Sequence, residues 1–272
     1  MERTKATWIA RDHLTKAGLS ALLVVVPVLV GATDAHGGSG QPTRPAPNEV
    51  IAPSMKGSSP TTSFPADIYT EPKAVSPETL ENLGPLRRMA GVWEGKGVDE
   101  HPVAEGTAKD AFVERIELQP IDPQTNGPQL LYGLRYHTRI VKPGEVATFH
   151  DQVGYWLWEP ATQTVIHTLA IPRAQVAMAA GRAAPDANRF ELVAQLGAES
   201  FGICSSPFLQ YAFRTVEFRI RISFDPNGTW SYEEDTVMAV RGREGLFHHV
   251  DRNTLTKVAE PTPNPLSAAR TR

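Results

Sequence analysis

The chain has one cysteine, Cys204, in 272 residues. No disulfide can form within it, so its stability must come from a packed core. Cys204 sits in GICSSP, which lacks the G-x-S-x-G of a nucleophile elbow, and the residue reads as a small buried side chain. Patterned metal ligands are missing as well. There is no H-E-x-x-H, no cysteine pair and no run of carboxylates, which leaves no signal for a zinc or calcium centre. No block of basic residues follows the N-terminal segment, and the net charge is −3 with a pI near 6.3. Nucleic acid is therefore a poor partner. The apolar run Gly18 to Gly31, GLSALLVVVPVLVG, falls short of the roughly 20 residues a membrane-spanning helix needs.

What is there at the N-terminus instead reads as an export signal. Lys5, Arg11 and Lys16 precede the apolar run, and Ala32 and Ala35 offer cleavage sites behind it. With no cysteine after the run, a lipid anchor is excluded, and membrane contact arises only if the segment stays uncleaved. The expected layout is a signal peptide over 1–35 and a Pro/Ser/Gly-rich linker over 36–80. One domain follows over 81–260, then a tail over 261–272. The expected location is a bacterial periplasm.

The domain opens with SPETLENLGPLRRMAG, which predicts a short helix interrupted at Pro85. Strands fill the rest. DAFVERIELQPI alternates, with Phe112, Glu114, Ile116 and Leu118 on one face. VEFRIRISF places Val216, Phe218, Ile220, Ile222 and Phe224 on one side and Glu217, Arg219 and Arg221 on the other. Asp225-Pro226-Asn227-Gly228 is a hairpin signal. The expected fold is all-β: a single antiparallel barrel of about ten strands, with a short N-terminal helix and its first strand paired with a late one. Such a barrel has no exposed edge and can enclose one small ligand.

MAGVWEGKG carries Gly91, Trp93, Gly95 and Gly97 as G-x-W-x-G-x-G at the start of the first strand. The glycines and the Trp share one parity, so the Trp can close a barrel end while the glycines admit a close neighbour. Downstream come FHDQVGYW and, near the C-terminus, FHHVDRNTLTKV. In this order the elements resemble the nitrobindin family, the heme-binding barrels also found at the C-terminus of THAP4. Leu83 to Val258 carries the resemblance, which implies a barrel holding heme b, with one histidine on the last strand binding the ferric iron. The open face of the iron would take nitric oxide or isomerise peroxynitrite. Aligned on Leu255, the family histidine falls on Val250, beside two histidines. His249 is the first choice of iron ligand and His248 the second, since strand alternation lets only one of them face inward. Asp251 shares the parity of His249 and would reach it only across a kink. No residue is assigned a catalytic role.

The other histidines read as structural. His150, in FHDQVGYW, should pair with Asp151 or a main-chain carbonyl near a turn, while His137 and His167 read as ordinary strand residues. Three functions fit the sequence: a heme protein for nitric oxide or peroxynitrite, a heme-free carrier of an apolar molecule, or an interaction domain with a filled core.

Overall fold

The computed structural model describes residues 65–264. The signal segment, most of the linker and residues 265–272 of the tail lie outside the described residues. Eleven strands close into one barrel: β1 (Gly91–Pro102), β2 (Thr107–Asn126), β3 (Gln129–Val141), β4 (Thr148–Glu159), β5 (Thr164–Ile171), β6 (Gln175–Arg182), β7 (Arg189–Leu196), β8 (Gly202–Ser205), β9 (Phe213–Phe224), β10 (Trp230–Val240) and β11 (Phe247–Ala259). Around the wall the order is β1-β11-β10-β9-β7-β8-β6-β5-β4-β3-β2. The first strand pairs with a late one, as the sequence predicts; that strand is the last, so β1 and β11 form the closing seam.

Two strands were not legible. β6 is QVAMAAGR, poor in the branched and aromatic residues that mark a strand. β8 is the four-residue GICS, which wedges between β6 and β7 and pairs parallel with β7 through Gln195–Gly202 and Leu196–Ile203. The barrel is therefore mixed and eleven-stranded, where about ten antiparallel strands were expected. Cys204 is exposed, not buried. On so short a strand Ile203 takes the inward position, and alternation turns its neighbour outward.

The face of β2 that alternation groups together is the inner one, with Phe112, Glu114, Ile116 and Leu118 all buried. On β9 the expected face breaks at Val216. The register with β10 skips from Val237↔Glu217 to Met238↔Thr215, which marks Val216 as the extra residue of a bulge. Thr215 takes the buried position instead. On the outer wall, Arg115 pairs with Glu94 and Glu117, Arg221 with Glu233, and Arg252 with Glu233 and Glu100.

The barrel's closed end is built from the N-terminal segment. Helix α1 (Thr79–Asn82) leads into a 3-10 turn, Gly84–Met89, with Pro85 at its start. Leu83, Leu86 and Met89 are fully buried there. Trp93, 1% exposed, donates from Nε1 to the Met89 carbonyl at 2.8 Å and packs edge-on to Trp230 at 6.0 Å. The glycines of β1 have a steric reason at the seam. A Cβ on Gly95 would lie 2.6 Å from Asn253 Oδ1, and one on Gly97 would lie 2.6 Å from the Arg252 carbonyl and strike the Phe112 ring. A second short helix, α2 (Pro207–Ala212), capped by the Ser206 hydroxyl accepting from Leu209 N–H, lies before β9.

Candidate functional site

A cavity of about 670 Å³ occupies the barrel interior, within the size range of small-molecule and cofactor sites. Phe112, Ile116, Leu169, Phe218, Ile220 and Met238 supply apolar wall, and Phe208 and Leu209 of α2 also border it.

His249 lines this cavity and His248 does not. On β11, His249 pairs with Thr236 and His248 with Val237 in an unbroken register with β10, so the two side chains take opposite faces. His248 is exposed and bonded through Nδ1 to Asp235 Oδ2 at 2.8 Å. His249 is held through Nε2 by Asp99 Oδ1 at 2.8 Å, with Asp251 Oδ2 at 3.5 Å. Among the described residues no hydrogen bond meets its Nδ1, which leaves that nitrogen to a ligand. Asp251 reaches His249 along a regular strand, without the kink that the spacing suggested, because both residues point inward.

Asp99 is the partner that sequence reasoning missed. It lies two residues beyond Gly97 on the inward parity of G-x-W-x-G-x-G, and that parity was the available signal. In the β1–β11 register it sits opposite Asp251. Two carboxylates facing each other repel, and His249 between them relieves the repulsion. Asp99 also ion-pairs His101, Oδ2 to Nδ1 at 3.0 Å. Asp99, His249 and Asp251 thus gather the clustered acids that no linear run displays. Burial pulls the His249 pKa down, but the Asp99 hydrogen bond and the charge of Asp251 outweigh it, and the net direction is up. For Asp99, burial pushes upward while the hydrogen bond and charge of His249 prevail, holding the carboxyl low.

Two further acids, Glu114 and Glu234, border the cavity with Asp251. Burial raises Glu114 to about 7 against hydrogen bonds from Asn253 and Tyr232, which reach its Oε2 at 2.7 Å and 2.9 Å. Asp251 is pushed up to about 6, first by burial. Glu234 lies well above the carboxylate range because of burial and the nearby Asp251 and Glu114 charges.

The remaining histidines depart from their structural reading in part. His150 borders the cavity and bonds Gln152 Oε1 at 3.3 Å, not Asp151. His137 pairs with Asp151 at 3.0 Å. His167 is no ordinary strand residue. It is 1% exposed, lines the cavity, stacks on Trp156 with ring centroids 3.9 Å apart and meets Tyr136 OH through Nε2 at 2.9 Å. Burial lowers its pKa to about 3.

A closed barrel around one cofactor-sized cavity, with a single last-strand histidine turned inward, defines a small-ligand-binding β-barrel. The THAP4-like, heme-binding beta-barrel domain matches residues 82–257, and the chain belongs to that family. Among solved structures it is similar to that described as "Crystal Structure of Rv2717c from M. tuberculosis". The two share 21% identity over 68% of this chain and 99% of the other, with a TM-score of 0.45. No curated protein matches the chain.

Proposed function

We propose that this protein is an exported heme-binding barrel that holds heme b through His249, and that its ferric iron binds nitric oxide or isomerises peroxynitrite to nitrate. The observation that carries this reading is the His249 side chain. It stands on the wall of a 670 Å³ cavity, one nitrogen tied to a carboxylate and the other unbonded. Iron-ligating histidines are oriented in the same manner, by a carboxylate on the second ring nitrogen. The surrounding residues fit the group. The walls are largely apolar, and Arg173 lines the cavity as a cation for a carboxylate-bearing ligand.

When bound, the iron supplies the open coordination position and the electrophilic centre for the nitrogen oxide. The chain does the rest. Asp99 fixes the His249 ring, the aromatic and aliphatic walls exclude water, and Trp93 with the 3-10 turn seals the closed end. A heme-free carrier of a fatty acid fits less well. Arg173 would answer the fatty acid's carboxylate, but such a carrier leaves the carboxylate-oriented His249 without a partner, which a ferric iron supplies.

Reconstitution with hemin tests the proposal. Wild-type protein should develop a Soret band, His248→Ala should keep it and His249→Ala should lose it. Nitric oxide should then perturb the band, and peroxynitrite should decay to nitrate faster with the loaded protein. A wild-type protein that takes up no heme would overturn the reading.

A further inference from the structure

His167 stands on β5, and β5 lies across the barrel from β11. Five strands separate them in one direction around the wall and four in the other. We propose that His167 is the ligand-facing hydrogen-bond donor of the cavity, presenting Nδ1–H to a small acceptor molecule, a nitrogen oxide or its anion, bound on the face opposite His249. The proposal rests on the heme reading above.

A chain of hydrogen bonds sets the proton on His167. His150 Nε2 meets Gln152 Oε1 at 3.3 Å. Gln152 Nε2 donates to Tyr136 OH at 2.8 Å. With that lone pair filled from Gln152, the Tyr136 hydroxyl directs its own proton to His167 Nε2, 2.9 Å away. Nε2 is then an acceptor, and the ring carries its hydrogen on Nδ1. The four residues come from three adjacent strands. Tyr136 is on β3, His150 and Gln152 are on β4, and His167 is on β5, where it pairs with Trp156. All four border the cavity.

The end of this chain is open. Among the described residues, His167 Nδ1 is buried and has no hydrogen-bond partner, a condition that costs free energy unless an acceptor arrives from the cavity. Most buried side-chain polar atoms are answered by a protein group or an ordered water. Burial that keeps the ring neutral also keeps Nδ1 a fixed donor in place of a titrating one, and the stack on Trp156 holds its plane. Two more cavity-lining nitrogens, Trp156 Nε1 and Trp230 Nε1, are likewise buried without partners. Setting aside His101, which ion-pairs Asp99, the unanswered buried side-chain atoms of lining residues are N–H donors, among the described residues. That suits a guest that offers acceptors and no protons.

Two measurements test this. In the apo protein, long-range proton–nitrogen NMR should show His167 as the neutral Nδ1–H tautomer. The Nε2–H tautomer or an imidazolium would overturn the assignment whatever heme does. In the heme-loaded, ferrous protein, carbon monoxide serves as the probe. A donor to its oxygen lowers the C–O stretch, so His167→Phe should raise it and weaken nitric oxide binding about 2- to 10-fold, the worth of one neutral hydrogen bond. Tyr136→Phe leaves the ring in place but frees its tautomer, so it should raise the stretch in part. It also serves if His167→Phe does not fold. A Soret band with an unchanged stretch in both variants would overturn this inference alone. Absence of any Soret band in wild type would remove the heme reading and this inference with it.

Discussion

Asp99 Oδ1 lies 2.8 Å from His249 Nε2 across the β1–β11 seam. The bond joins the strand that carries G-x-W-x-G-x-G to the strand that closes the barrel, and it turns a wall histidine into an oriented one. Asp99→Asn keeps the shape of the side chain and removes the charge. Hemin affinity, followed by Soret titration, should fall about 10- to 100-fold, the usual cost of losing such an orienting partner. Unchanged affinity would mean that Asp99 does not position the ligand.

Trp93 should be a stability residue. Its ring is buried between the 3-10 turn and Trp230, and Trp93→Ala should cost about 3–5 kcal/mol in denaturant unfolding. A loss below about 1 kcal/mol is the value expected of a surface site and would contradict the sealed end.

Gly97→Ala should destabilise through overpacking, because the added methyl meets the Arg252 carbonyl at 2.6 Å and the Phe112 ring. A cost of about 1–3 kcal/mol is expected. An exposed glycine with open space around it, Gly106, provides the control, although its φ of +86° carries a strain of its own.

The buried acids predict the pH response of the apo protein. Burial holds Glu114 at about 7, above its ordinary 4.5, so the fold favours its protonated form. Its contribution to stability is complete below pH 4.5 and is lost as pH rises through about 7. Asp251, at about 6, and Glu234, raised well above its ordinary range, act in the same sense. The melting temperature should therefore fall between about pH 5 and pH 8, and Glu114→Gln should flatten that fall, by roughly 3 kcal/mol at most. A wild-type protein that gains stability over the same range would contradict the assignment.

Export makes a separate prediction. N-terminal sequencing of native protein should begin after Ala32 or Ala35. A first residue of Met1 in cytoplasmic protein would contradict it.

The sequence by itself determined the barrel and its polarity. Alternation in DAFVERIEL grouped Phe112, Glu114, Ile116 and Leu118 on one face of β2, and the parity of Gly91, Trp93, Gly95 and Gly97 put the indole at a barrel end. That the first strand pairs with a late one was legible too, from the closure a barrel requires. The faces are period-two properties of single strands, and they survive whatever the neighbours do. β6 and β8 were not legible, because an alanine-rich segment and a four-residue insert carry no strand period of their own and owe their conformation to the walls on either side. Choosing between His248 and His249 needed more than alternation. Parity says that one points inward, but which one depends on the register of β11 against β10 and β1, and closure of the whole barrel sets that register. The same closure brings Asp99 to His249 and lines up His150, Gln152, Tyr136 and His167 across three strands. Those contacts join residues far apart in the chain through side chains of ordinary composition. Only the tertiary structure, by deciding which strand faces which and at what offset, gathers them around one cavity.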